Sequence, residues 1–155
     1  VEHPVSEEVT GIDLVKWQIR VSAGEELEFP QERVIPRGHS IECRINAEDP
    51  HYNFRPSPGK VEAFVAPGGP GVRWDSHVYQ GYDIPPTYDS LIGKLIVTRP
   101  SRREAIETAK RALDEFTIYP TKTTIPLCRE VLAHPNFVQG QWDTTFVERE
   151  MLGRD

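Results

Sequence analysis

A chain of 155 residues with 37% apolar and 27% charged side chains is long enough to bury a real core, and it suits one domain with part of a second. Its net charge of −6 makes a nucleic-acid backbone a poor partner for the surface as a whole, although a local basic site for an anion stays open. No apolar run approaches the roughly 20 residues of a membrane span and no secretory signal opens the chain, so a soluble, cytoplasmic protein is expected.

The chain opens on Val1-Glu2-His3-Pro4-Val5, with a hydrophobic residue and no initiator Met. It therefore reads as a piece of a longer chain that begins inside a structural element, with residues 1–5 as the end of a strand. Thr10-Gly11-Ile12-Asp13 predicts a helix start with Thr10 as N-cap. Ile12, Val15 and Ile19 give that helix an apolar face flanked by Leu14 and Trp17, and Gly24 is its stop. Residues 25–38, with Pro30 and Pro36, read as a connector around a short strand.

The next stretch, residues 38–50, is the one the rest is organised around. Ile41, Cys43 and Ile45 alternate with Glu42, Arg44 and Asn46, so a strand buries the first set and presents the second. A half-buried strand with a solvated face is the plain reading. The other is a cation held rigidly between a carboxylate and an amide, which suits an anion site.

A turn-rich segment follows, then a strand over residues 60–66 with Val61, Ala63 and Val65 on one side. Pro67-Gly68-Gly69-Pro70-Gly71 predicts a structural turn: it lacks the Lys-Ser/Thr and helix start of a phosphate loop. Residues 72–79 and 91–98 read as strands, the second interrupted by Gly93, where a bulge or a close backbone approach is expected. Ser101-Arg102-Arg103-Glu104 is a capping box opening a helix that buries Ala105, Ile106, Ala109, Ala112, Leu113 and Phe116. Ile118-Tyr119 is a short extended piece. A helix then starts at Thr124-Ile125-Pro126 with Leu127, Val131 and Leu132 inward, and Asp143-Thr144-Thr145 caps a last short helix to about Met151. Helix, several strands, then helices predict an α+β fold, an antiparallel sheet with flanking helices.

Chemistry-bearing residues are sparse. His3, His39, His51, His77 and His134 are scattered without metal spacing, and Cys43 and Cys128 read as isolated reduced thiols, so no metal ligand is assigned. The candidates are Glu2, a carboxylate able to act as a base, and Arg44, whose fork fits bicarbonate, a carboxylate or a phosphate.

The motifs Val1 to Glu7 with Thr10 to Val15, Arg37 to Pro50, Pro56 to Lys60, Ala66 to Trp74, Tyr88 to Leu95, Lys122 to Thr124 and Asp143 to Phe146 run in order along nearly the whole chain. Together they resemble the C-terminal part of biotin carboxylases, in the ATP-grasp superfamily. The resemblance implies residues 1–35 as the tail of an ATP-grasp domain and residues 36–155 as the biotin carboxylase C-terminal domain. It implies a ligase that uses MgATP and bicarbonate to form carboxyphosphate and carboxylates N1′ of carrier-bound biotin. By position Glu2 is the base for bicarbonate, Val1 a backbone contact to it, and Arg44 the arginine that binds bicarbonate and stabilises the biotin enolate. Thr144 falls near the adenine and Arg73 near a dimer interface, where Pro70 replaces an aromatic residue of some relatives. ATP and Mg2+ would be held mainly by residues before Val1, so this stretch alone should be inactive. A homodimer, a biotin carboxyl carrier protein or domain, a carboxyltransferase component and a place in fatty acid biosynthesis are the implied context. Two other readings compete: a non-catalytic module for dimerisation or carrier docking, and another ATP-grasp ligase such as a carbamoyl-phosphate-forming enzyme.

Overall fold

The computed structural model describes residues 2–153. Two short helices, α1 (Pro4–Thr10) and α2 (Leu14–Ser22), precede strand β1 (His39–Asn46). Short strands follow: β2 (Glu48–Asp49), β3 (Arg55–Pro56), β4 (Gly59–Lys60), β5 (Ala63–Val65), β6 (Val72–Ser76) and β7 (Asp83–Ile84). Then come the long β8 (Leu91–Arg99), helix α3 (Arg102–Glu115), β9 (Thr117–Tyr119), α4 (Ile125–Ala133), α5 (Pro135–Gln139) and a helical turn, Val147–Met151. The fold is α+β, as expected. β8 is the middle of an antiparallel sheet in the order β1-β8-β6, and β2–β3, β4–β7 and β5–β9 form small ladders around it.

The register decides which side chains share a face. Ile41 faces Val97, Cys43 faces Leu95 and Ile45 faces Gly93 across β1 and β8, while Val72 and Trp74 of β6 face Val97 and Leu95. These residues form one apolar surface, and α3 closes it with Ala105, Ile106, Ala109, Ala112 and Leu113, all buried. Each large side chain enclosed there contributes about 1.5–3 kcal/mol. The capping box of α3 is present in full: Ser101 Oγ accepts from Glu104 N, and Ser101 N donates to the Glu104 carboxylate at 3.0 Å. Gly93 marks the expected close approach, since a Cβ there would run into the Trp74 indole. The register irregularity lies on the partner strand, between Ile45 and Asn46.

The outer edge of β1 is taken up by the start of α4. Asn46 N donates to Thr124 Oγ1 at 3.0 Å, Thr124 Oγ1 donates to the Arg44 carbonyl at 3.0 Å, and Thr124 N donates to the Asn46 carbonyl at 3.1 Å. A strand edge is thereby closed without another strand.

Several local expectations are corrected. Residues 4 and 5 are not strand: Pro4 opens α1, where its missing N–H costs nothing. Thr10 ends that helix, its hydroxyl donating back to the Ser6 carbonyl at 2.5 Å, with Gly11 in the left-handed conformation behind it. The N-cap of α2 is Asp13, which accepts from Lys16 N at 2.9 Å. The apolar face expected of α2 is not buried, and Ile19 is 66% exposed. The connector contains a 3-10 turn, Gln31–Arg33, and no strand. The strand expected over residues 60–66 is broken: Val61 is fully buried and Val65 exposed. Cys43 and Cys128 are free thiols that perturb each other: Cys128, and then burial, push the Cys43 thiol well up, while Cys43 holds the Cys128 thiol down.

Candidate functional site

The other face of the sheet carries Ser40, Glu42 and Arg44 from β1, Lys94, Ile96 and Thr98 from β8, and Arg73 and Asp75 from β6. It is not simply solvated, because α1 lies across it. Ile96 and Pro4 are both fully enclosed there. The remaining contact is ionic. Arg73 donates from Nη2 to Glu7 at 3.1 Å, from Nη1 to Glu8 at 3.0 Å, and from Nε and Nη2 to Asp75 at 2.9 and 2.7 Å. Its guanidinium thus joins two carboxylates of α1 to one of β6. The bond from Arg73 is the main reason the Asp75 carboxyl lies below its ordinary range, and the carboxylates in turn hold the arginine proton more firmly. Glu7 is 9% exposed, and its second oxygen accepts from Leu14 N at 3.2 Å, which ties the start of α2 to the same point.

This docking decides where Glu2 sits. Glu2 lies just ahead of α1, and its carbonyl accepts from Lys94 Nζ at 3.3 Å. Lys94 also pairs with Glu42 at 3.5 Å and is the cross-strand partner of Arg44. The structure therefore brings the sequence-predicted Glu2 and Arg44 to one face of one sheet, linked through a lysine between them. Both side chains are exposed, and among the described residues no carboxylate forms an ion pair with Arg44.

Arg44 lies at the wall of a cavity of about 400 Å³ lined by His77, Tyr82, Ile84, Pro85, Tyr88 and Asp89. Tyr82 packs edge-on against His77 and Tyr79. The segment carrying Tyr88 and Asp89 is pinned to β1: Ala47 N donates to the Ser90 carbonyl at 2.7 Å, and Ser90 Oγ and Asn46 Nδ2 both donate to the Glu48 carboxylate. A guanidinium without an ion pair among these residues, beside an aromatic and aliphatic wall, is suited to a small planar anion or to a ring with a polar edge.

The remaining predicted residues are dispersed. Val1 lies outside the described residues. Thr144 is exposed on the turn before the last helical turn, and among the described residues its side chain forms no hydrogen bond. Arg73 spends its donors within the chain, on the outer strand of the sheet. The Pro67 to Gly71 segment is a turn whose carbonyls are themselves held, Gly68 by Arg111 at 3.1 Å and Pro70 by Arg99 at 3.4 Å. Sequence reasoning does not single out Lys94, Tyr82, Tyr88 or the carboxylates of α1. Lys94 alone leaves a signal, a cation inside an otherwise apolar strand. Among the described residues no group of three or more His, Cys, Asp or Glu gathers as metal ligands would, so these residues do not fit a magnesium site. No described helix is long and apolar enough to cross a membrane.

Known proteins match nearly the whole chain. The family described as the biotin carboxylase C-terminal domain matches residues 42–149, and the carbamoyl-phosphate synthase L chain ATP-binding domain matches residues 1–29. The chain is 56% identical over 148 residues to biotin carboxylase of Nostoc sp., covering 96% of this chain and 33% of that protein. It is 53% identical over 155 residues to a pyruvate carboxylase subunit from Methanothermobacter thermautotrophicus, covering 100% of this chain and 32% of that one. Among solved structures, the biotin carboxylase domain of Hydrogenobacter thermophilus 2-oxoglutarate carboxylase, a dimer in complex with MgADP, ADP and bicarbonate, superposes with a TM-score of 0.93. It is 48% identical and covers 96% of this chain and 33% of that chain. The chain thus spans about a third of the length of the relatives it matches.

Proposed function

The chain belongs to the biotin carboxylase family, and from that premise we propose that it supplies the bicarbonate- and biotin-handling face of a complete carboxylase, which carboxylates carrier-bound biotin at the expense of ATP. The observation that carries this reading is the exposed Arg44 guanidinium, without an ion pair among the described residues, directly opposite the lysine that holds Glu2. The Glu2 carboxylate takes the bicarbonate proton, and the resulting dianion attacks the γ-phosphate of ATP to give carboxyphosphate and ADP. Arg44 holds the bicarbonate and then the enolate oxygen of biotin, where a fixed cation has most effect. The wall formed by Tyr82, Ile84 and Tyr88 takes the biotin ring.

In this reading residues 1–35 finish an ATP-grasp domain and residues 36–155 form the C-terminal domain. Val1 adds a backbone contact to bicarbonate and Thr144 lies near the adenine. ATP and Mg2+ are bound mainly elsewhere in the complete protein, so residues 1–155 alone are expected to release no phosphate from ATP when bicarbonate is added. The complete enzyme works in the cytoplasm as a homodimer, with a biotin carboxyl carrier and a carboxyltransferase, and fatty acid biosynthesis is one destination of its product. Arg73, on the outer strand of the sheet, is the residue assigned to the dimer contact.

The test is Arg44→Ala in the complete carboxylase, with melting, nucleotide affinity and biotin carboxylation measured on one preparation. Carboxylation falls by about 10²- to 10³-fold, the usual loss for one charge-stabilising donor, while melting and nucleotide affinity hold. Arg44→Lys recovers part of the rate, because an ammonium lacks the fork. Early melting with a proportional loss of every activity would make Arg44 structural and end this reading.

A further inference from the structure

We propose that Arg73 is a positioning residue for Glu2: by gathering Glu7 and Glu8 of α1 onto Asp75 of β6, it fixes the helix just ahead of which Glu2 lies, with the Glu2 carbonyl held by Lys94, the cross-strand partner of Arg44. This rests on Glu2 being the base proposed above.

α1 has only seven residues, and a helix of two turns does not persist on local bonding. Its N-cap position, His3, makes no side-chain capping bond. What holds it is tertiary: the enclosed Pro4, the Arg37 N–H donated to the Val9 carbonyl at 2.7 Å, and Arg73. Of these, Arg73 is the ionic contact that joins the helix to the sheet face on which the site stands, and Thr98 Oγ1 adds one hydrogen bond to Glu8 at 3.4 Å. Arg73 reaches α1 across 65 and 66 positions of sequence. Glu2 itself is anchored to that sheet through its carbonyl, which accepts the bond from Lys94 at 3.3 Å. If α1 shifts, that bond and the approach of the Glu2 carboxylate shift with it.

The chemistry of the clamp explains why a neutral residue cannot replace it. Glu7, Glu8 and Asp75 converge on a single cation. Without it three carboxylates face one another, one of them 9% exposed, and repulsion acts to lift the helix off the sheet. Arg73 divides Nε, Nη1 and Nη2 among three carboxylates, with Nη2 shared between Glu7 and Asp75, and the single ammonium of a lysine cannot reproduce that division.

The experiment uses the complete carboxylase with Arg73→Gln, Arg73→Lys, Glu2→Gln and the Arg73→Gln/Glu2→Gln double variant. Amide exchange over residues 5–10, turnover and sedimentation are measured on each. In Arg73→Gln, exchange over α1 rises at least about tenfold while β8 stays protected. Turnover falls by about tenfold with the KM for bicarbonate raised and that for ATP unchanged, and Arg73→Lys recovers part of both. On the Glu2→Gln background the Arg73 substitution removes little further rate, because both act through one carboxylate. Losses that multiply in full overturn the proposal. So does an unmoved α1 beside a Glu2→Gln enzyme that has lost its rate, which leaves the base reading intact. A loosened α1 beside an unslowed Glu2→Gln enzyme supports the clamp and overturns the base reading alone. Dissociation of the dimer with α1 unmoved overturns the clamp and makes Arg73 an interface residue only.

Discussion

The α3 face and the α1 face of the central sheet share the same three strands and are held by different forces. On the first, side chains from β1, β8 and β6 meet five buried residues of a fourteen-residue helix. On the second, a seven-residue helix, with its own Pro4 enclosed, covers Ile96 and is tied down by ion pairs. Burial is non-directional and scales with area, so the α3 face carries stability. Ion pairs fix direction and charge, so the α1 face can place Glu2 and Arg44 with little bulk apolar contact. The difference implies that stability and turnover are separable by face.

The largest expected effect lies on the apolar side. Leu95 is fully buried, and Leu95→Ala should cost about 2–5 kcal/mol of stability. Denaturant unfolding of the complete carboxylase measures it, and turnover per folded molecule should hold. A comparable fall in turnover of the folded fraction would break the separation. Glu2→Gln is the mirror experiment: turnover drops about 10²-fold, roughly 2.7 kcal/mol of barrier, with melting and ATP affinity unchanged. Nucleotide affinity falling in step with rate would mean that Glu2 holds structure. Ser101→Ala removes the N-cap of α3 and should lower stability by about 1 kcal/mol without touching turnover.

The smallest effect is a titration. Burial, and then the Arg102 cation, lower the pKa of His39, at the start of β1 beside α3. The unfolded chain then binds the proton first, so stability is complete above about pH 6.5 and declines as pH falls below it. Asp75 on the opposite face is also depressed, chiefly by Arg73, so its contribution is present above about pH 4 and is lost as pH falls through the lowered value. Acid should therefore weaken the α3 face before the α1 clamp. Unfolding as a function of pH in wild type and His39→Gln checks the order, and an unchanged profile would remove His39 from it.

The same division decides what can be read from sequence. α3 is legible to the residue because its capping box and its period are local, and β1 because alternation alone fixes which side chains are buried. The pairing of Glu2 with Arg44 on one face is accessible only as a family likeness. Its physical basis is Lys94 on a distant strand and Arg73 on another, both beyond Arg44 in sequence, and nothing local says which residues they meet. α1 escapes for the same reason, since Arg73 and Pro4 hold it and its own residues propose little. The apolar stripe of α2 is present as a stripe but lies outside the core. Tyr82 and Tyr88 stand in turn segments with no repeating pattern, so nothing marks them as the wall of a cavity. The family likeness places Arg73 near a dimer interface, and its neighbours along the chain give no hint of the two glutamates that meet it.

Thr124 gives β1 something that apolar packing does not supply. A strand whose neighbours are all antiparallel can slide by one residue, and each such step turns every side chain to the opposite face. For β1 that step would drive Arg44 toward α3 and bring Cys43 out in its place. Thr124 binds the carbonyl of Arg44 and both backbone groups of Asn46 from a position 80 residues away in sequence. It acts as a ratchet pawl on the strand: only one tooth engages, and in that setting the arginine points outward.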